Sequence, residues 1–420
     1  MVMEGIAGIF GGRRKGRLAK QWEFQADSQI LSSPAVGEFD DGRKAIIFGT
    51  KDGNIYTLDE QSKLRWKYDL KEKRTEEELL FLDEESIKSI RGQPTLADLN
   101  SDCKMEIIVG SDNGTLSVLS EKGNLLWEYR IDSPIRSSAV VADINSDSRP
   151  EIIFGGGDSK LYALDNEGSL LWTFKTSSPV ESVPLILKKD TIQIIFGTND
   201  GTLYSLGPKG TELWTFKTGA QITAQPAAAD LKADGRTSII VGSHDNFLYA
   251  LDELGHPLWT FETEGSIHSK ACLADINGDK QMEIVFGSCD NKIYALTPDG
   301  KKLWSYETDF WVVASPYVMD FDNDGRPEVI AGSYDNSLYV LDAEGSYILN
   351  YMPGISGIAQ QAGHYSGVMT SQPGSYQGKK LWEYKTDSFI MGSAFIDDKS
   401  GKKIFVGTKM GNLDMFAHQY

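Results

Sequence analysis

A unit of about 45 residues recurs along this chain and constrains its fold more than any local preference does. Its anchor is a Gly-Ser/Thr-x-Asp-Gly/Asn turn followed by a Leu-Tyr-Ala-Leu-Asp-like strand. The anchoring glycines are Gly49, Gly110, Gly155, Gly197, Gly242, Gly287, Gly332 and Gly407, spaced 61, 45, 42, 45, 45, 45 and 75 residues apart. Self-similarity at that period marks a repeat architecture, in which each unit buries its apolar face only against its neighbours. Within one unit, residues 267–274 read as strand A, 284–287 as strand B, 292–296 as strand C and 302–306 as strand D. The joints are Gly, Asn and Asp turns, so the unit is an antiparallel meander. Four short strands per repeat of this length describe a propeller blade.

Tryptophan counts the blades independently. Eight of the nine tryptophans share the strand D context: Trp22, Trp66, Trp127, Trp172, Trp214, Trp259, Trp304 and Trp382. Trp311 is left over. The last repeat, 389–417, ends after strand C, whereas Trp22 precedes the first strand A. The N-terminal strand is therefore expected to supply strand D of the last blade, which removes the open edges of the sheet. The expected architecture is an all-β, eight-bladed propeller spanning 20–420, with an N-terminal arm at 1–19. Insertions fall near 70–88, between blades 1 and 2, and near 346–379, before Trp382. An alternative pairing takes 347–351 as strand D of blade 7.

Composition bounds the partners. The net charge of −18 argues against non-specific binding to nucleic acid or anionic membranes. The run Arg13, Arg14, Lys15, Arg17 reads as a solvated arm. Three cysteines (Cys103, Cys272, Cys289) form no disulfide framework and read as separate thiols. No apolar stretch reaches the ~18 residues of a membrane span. The first residues show no signal-peptide core, so the chain as it stands reads as cytoplasmic, or extracytoplasmic if a targeting segment is removed. A monomer is expected.

The strongest chemical signal lies between strands A and B. Four blades carry oxygen side chains at alternate positions with a trailing glutamate: Asp98, Asn100, Asp102, Glu106; Asp143, Asn145, Asp147, Glu151; Asp275, Asn277, Asp279, Glu283; and Asp320, Asp322, Asp324, Glu328. Such spacing converges hard oxygen ligands and suits Ca²⁺, resembling an EF-hand loop with the glutamate moved to position nine. Blade 5 has Asp230, Lys232, Asp234 and then Ser238, and the Lys232 ammonium is expected to take the place of an ion. The recurring turn aspartates Asp52, Asp158, Asp200, Asp245, Asp290 and Asp335 are expected to serve the hairpins.

Positions that vary between repeats are free of scaffold duty. Near the start of strand A one position reads Leu31, Arg91, Arg136, Glu181, Thr223, His268, Val313, Met391. Two residues on it reads Ser33, Gln93, Ser138, Val183, Gln225, Lys270, Ser315, Ser393. These strands line a propeller's axis, so Arg91, Arg136, Glu181, His268 and Lys270, with Trp311 beside them, form the candidate ligand site at the channel mouth.

The repeats resemble two families. Tyr-Ala-Leu-Asp-x-x-Gly-x-x-Leu-Trp-x-Phe-x-Thr looks like the pyrroloquinoline-quinone-type propeller repeat. Asp-x-Asn-x-Asp-Gly-x-x-Glu-Ile-x-x-Gly-Ser looks like the FG-GAP repeat of integrin-type and microbial surface propellers. The resemblance covers about 20–417 and implies a binding or scaffolding module. The chain is shorter than quinoprotein dehydrogenases and lacks their adjacent cysteines, so pyrroloquinoline quinone is not expected. No HExxH or nucleophile elbow occurs. The functional expectation is a non-enzymatic module with calcium-stabilised loops, binding a protein, glycan or small anionic ligand. The alternative is an enzyme on the same scaffold, either a quinone-dependent dehydrogenase or a calcium-dependent polysaccharide-acting enzyme.

Overall fold

Eight four-stranded antiparallel sheets follow one another around a central channel. The structure is a computed structural model and describes residues 17–70, 88–348, 351–352, 368–369, 375–398 and 401–419. Arg13, Arg14, Lys15 and the core of both insertions lie outside the described residues. Blade 6 shows the pattern: Cys272–Ala274 (strand A), Glu283–Gly287 (B), Lys292–Leu296 (C) and Lys302–Glu307 (D). Strand A is shorter than the sequence predicts. Its ladder starts only at Cys272, because residues 267–271 leave the sheet to pack against the blades on either side. Among the described residues no helix is long and apolar enough to cross a membrane.

The repeated strand B glycine is explained by the next blade. A Cβ on Gly49, Gly110, Gly155, Gly197, Gly242, Gly287, Gly332 or Gly407 would stand 2.2–2.8 Å from a β-branched residue of the neighbour (Ile90, Ile135, Val180, Ile222, Ile267, Val312, Ile390 or Ile30) or from its carbonyl. No side chain fits, so the β-branched residue seats directly on the glycine backbone. In six of these seams, the N–H of the β-branched residue also donates to the turn that follows the glycine, as Ile222 does to the Thr198 carbonyl at 3.1 Å. Ser137, Ser182 and Ser269 accept from the N–H of Gly155, Gly197 and Gly287 at 2.7–3.0 Å. That explains the small residue between the two variable positions.

Strand D tryptophans make the outer seam. The Trp22, Trp66, Trp172, Trp214, Trp259 and Trp304 indole N–H groups donate to carbonyls of the following blade at 2.8–3.0 Å. Trp22 reaches the Glu60 carbonyl and so joins the last blade to the first.

That last blade is Ile390–Asp398, Gly401–Thr408, Asn412–Gln419 and the N-terminal strand Arg17–Gln25. The N-terminal strand pairs antiparallel with Asn412–Gln419, as the tryptophan count predicts. Its first residue, Arg17, lies three positions before Lys20. In blade 7, Val340 pairs with Trp382, which settles strand D as Ser375–Lys385. The alternative pairing fails because Ser337–Ile348 runs on as an extended hairpin, with Tyr347 opposite Tyr376. The insertion lengthens the two outer strands instead of displacing one.

Gly197→Ala is expected to cost about 1–3 kcal/mol through overpacking, read by denaturant unfolding. Ile222→Ala alone should cost roughly 2–5 kcal/mol. The double variant should lose less than the sum, since the second change removes the nearest clashing atom, Cγ2 at 2.2 Å, although Cβ at 2.5 Å and the carbonyl at 2.8 Å remain. Strict additivity would show that this contact does not set the seam.

Candidate functional site

All eight blades contribute to a cavity of about 610 Å³ on the channel axis. Arg91, Arg136, His268 and Lys270 line it, as the variable positions predict. Glu181 and Trp311 are not among the lining residues: Glu181 joins the site through its bond to Arg136, and Trp311 precedes the blade 7 entry residue Val312.

The sequence reading missed a third ring. The second residue of each B–C turn, after Ser or Thr in seven blades and after Gly156 in blade 3, reads Lys51, Asp112, Gly157, Asn199, His244, Cys289, Tyr334 and Lys409. Its N–H donates to the carbonyl just before the β-branched residue of its own blade, at 2.8–3.0 Å in all eight cases. The backbone is therefore fixed and the side chain is free to vary beside the mouth. The signal was variation at one position inside an otherwise constant turn.

Asp112 shows what this ring does. Its side chain, 8% exposed, accepts from Arg91 Nε at 2.9 Å and Arg136 Nε at 3.0 Å. Arg136 Nη1 also donates to Glu181 Oε1 at 3.1 Å. Burial opposes the Arg136 charge, but Asp112 and Glu181 outweigh it and hold its pKa above the ordinary value. Two cations and two anions cancel, so the arginines form a neutral network.

Next around the mouth, His244 and His268 lie with ring centroids 3.9 Å apart, and His244 Nε2 is 2.8 Å from Thr223 Oγ1. Burial, with His244 adding to it, pushes His268 down to about 4. Burial also lowers His244, against the attraction of Asp245 and Glu181. Both rings are neutral near pH 7. Blades 7, 8 and 1 are different: Val313, Met391 and Leu31 occupy the mouth position. Behind them Phe310 stacks on Trp311 (5.1 Å, 18°), and the two are 40% and 44% exposed. Tyr334 stacks on Phe389 (5.1 Å, 6°). The Trp311 and Phe389 position carries Gln, Ser or Pro in the other six blades. One arc of the face is polar and the other aromatic.

The carboxylate loops lie on the opposite face, beside the C–D turns. In blade 7, Asp320, Asp322 and Glu328 bring one oxygen each within 4.8 Å of one another, with Asp322 5% exposed and Glu328 buried. These oxygens fit the first shell of a Ca²⁺ ion, whose ligands lie ~2.3–2.6 Å from the metal. In the other three loops the middle residue is asparagine, and its amide donates to the glutamate: Asn145 to Glu151 at 2.7 Å, Asn277 to Glu283 at 3.3 Å and Asn100 to Glu106 at 3.5 Å. Burial pushes these three glutamates above the ordinary carboxyl range. Asp102, Asp147, Asp279 and Asp324 each cap the main-chain N–H two residues on.

Lys232 does not enter its own loop. Its ammonium pairs with Asp299 of the next blade at 2.5 Å, because the loop turns it outward past the C–D turn. The turn aspartates serve the blades as expected: Asp158, Asp245, Asp290 and Asp335 each accept a strand C tyrosine hydroxyl at 2.5–2.8 Å.

The family model described as the lambda-carrageenase beta-propeller domain matches residues 138–220 and 238–352. No curated protein matches the sequence. Among solved structures, BamB from Moraxella catarrhalis is similar at 15% identity and TM-score 0.65, covering 95% of this chain and 99% of that one. The computationally designed Ika8 protein is similar at 17% and 0.66 (96% and 100% covered), and Saccharomyces cerevisiae Sqt1 at 11% and 0.67 (96% and 99%). These likenesses establish the fold. The chain is a β-propeller. At such identities the fold carries no activity with it.

The histidine pair makes stability depend on pH. The folded value of His268 lies below the ordinary 6.5, so the unfolded chain takes the proton first. Its contribution is complete above pH 6.5 and is lost as pH falls towards 4. The melting temperature of wild type relative to His268→Gln should decline across that interval. Parallel pH profiles would show that the stacked pair does not resist protonation.

Proposed function

We propose that this propeller is a non-enzymatic binding module whose ligand is a glycan chain held across the channel mouth. One observation carries the reading. Residues of the two variable rings at the start of strand A, drawn from all eight blades, line one cavity, and the exposed, stacked pair Phe310 and Trp311 immediately precedes the blade 7 entry residue Val312. A sugar alternates an apolar C–H face with a hydroxyl edge. Phe310 and Trp311 offer the flat apolar surface, and the Arg91–Asp112–Arg136–Glu181 network offers oriented polar groups. The carrageenase-type match supports a polysaccharide partner over a protein one. The arginines are tied to carboxylates, which suits them to orienting hydroxyls more than to neutralising charge.

Calcium belongs to the scaffold in this reading. Asp320, Asp322 and Glu328 would hold it in blade 7, with Asp324 capping the loop. There the ion would supply charge neutralisation and loop rigidity. The asparagine loops would bind more weakly, because an amide already partners each buried glutamate.

Two measurements test this. Glycan-array screening followed by calorimetry should find a polysaccharide ligand whose affinity falls roughly tenfold in Trp311→Ala, the loss expected of a truncated aromatic anchor. Undiminished binding in that variant would remove the aromatic arc from the site. Millimolar Ca²⁺ should raise the melting temperature of chelator-stripped protein, and Asp322→Asn should remove most of that rise. An equal rise in both proteins would place the ion elsewhere.

A further inference from the structure

Lys270 is the one charged side chain at its level of the channel, where the eight blades present Ser33, Gln93, Ser138, Val183, Gln225, Lys270, Ser315 and Ser393. Arg91 and Arg136, one level nearer the mouth, already have carboxylate partners. No aspartate or glutamate is among the described residues that line the cavity. Lys270 lines the cavity and is exposed to it. Cys272 beside it offers no countercharge, because burial holds its thiol above the ordinary value and keeps it protonated.

We propose that the Lys270 ammonium seats an oxyanion substituent of the ligand, a sulfate or carboxylate, inside the channel. This rests on the glycan reading above and sharpens it: the chain recognised is an anionic one, with a charged group entering the cavity. Ser315 Oγ accepts the Lys270 main-chain N–H at 3.0 Å, which leaves its own hydroxyl hydrogen to donate beside the ammonium. The Gln93 and Gln225 amides reach the Pro34 and Pro184 carbonyls, which fixes the walls and leaves the cation as the site's directing group. An exposed ammonium facing a cavity with no lining carboxylate attracts an incoming oxyanion. A lysine is a compact point charge and accepts either a tetrahedral or a planar oxyanion, whereas a bidentate arginine would favour planar pairing.

The test uses the full chain with Lys270→Met, checked for an unchanged melt, against sulfated galactan, oligouronate and neutral galactan oligosaccharides in calorimetry. Lys270→Met should weaken the charged oligomers roughly ten- to a hundredfold, as loss of a charged hydrogen bond does, and leave the neutral one unchanged. The stronger of the two charged ligands identifies the substituent. Charged oligomers bound equally by wild type and Lys270→Met would overturn the proposal while leaving the glycan reading intact. If no oligosaccharide binds wild type, the glycan reading fails and inorganic sulfate decides the site. Sulfate should then slow acylation of Lys270, read by peptide mass spectrometry, but not that of Lys122 on the opposite face. Equal rates with and without sulfate would refute an oxyanion seat.

Discussion

A β-branched side chain resting on a bare glycine backbone sets the distance between blades, and the remaining geometry follows from that distance. Because no Cβ intervenes, strand B of one blade and the entry to strand A of the next approach to direct contact, eight times around the ring. The close approach brings eight inner strands to one axis, and in blades 1 to 7 those strands are only three or four residues long. In those seven blades it also leaves the segment just before the ladder outside the strand, whereas in blade 8 the strand starts at Ile390 itself. That segment carries the residues of the mouth. Seam and site are thus two consequences of one steric constraint, which is why the variable positions begin immediately after the β-branched residue.

Much of this was legible in the sequence, because the constraint recurs. A glycine at fixed spacing and a tryptophan in fixed context gave blade number, strand order and ring closure, including the N-terminal strand opposite Asn412–Gln419. The blade 7 insertion left two pairings open, since Tyr347 and Trp382 both sit in strand-like runs. Only the register across the hairpin decides between them. Strand A was overestimated because its entry is apolar and β-branched, yet it spends those side chains on the neighbouring blade.

The charge state of the mouth was not legible, and the reason is physical. Arg91 and Arg136 are near-equivalents one repeat apart, and their shared partner Asp112 belongs to a turn that looks purely structural. Its hydrogen-bonded backbone is indeed structural; its side chain is not. The turn ring converts two candidate anion-binding arginines into a neutral, oriented network. By the same logic it singles out Lys270, whose level in the channel no turn residue reaches. Lys232 teaches the reverse lesson: a cation placed among aspartates by sequence left them for Asp299 across the seam.

The meander also separates two kinds of chemistry. B–C turns and the links between blades lie at one end of every blade; A–B loops and C–D turns lie at the other. The carboxylate loops therefore occupy the face opposite the mouth, with a blade's length between them. An ion held by Asp320, Asp322 and Glu328 would touch no ligand at the channel. Coupling between the two faces would have to pass through the seams, whose packed glycine contacts resist graded deformation. In such a ring, calcium acts on how many molecules hold the folded blade, and the mouth acts on what those molecules bind. A chelator that abolished binding without unfolding any blade would contradict this separation, because only a mobile seam could transmit the change.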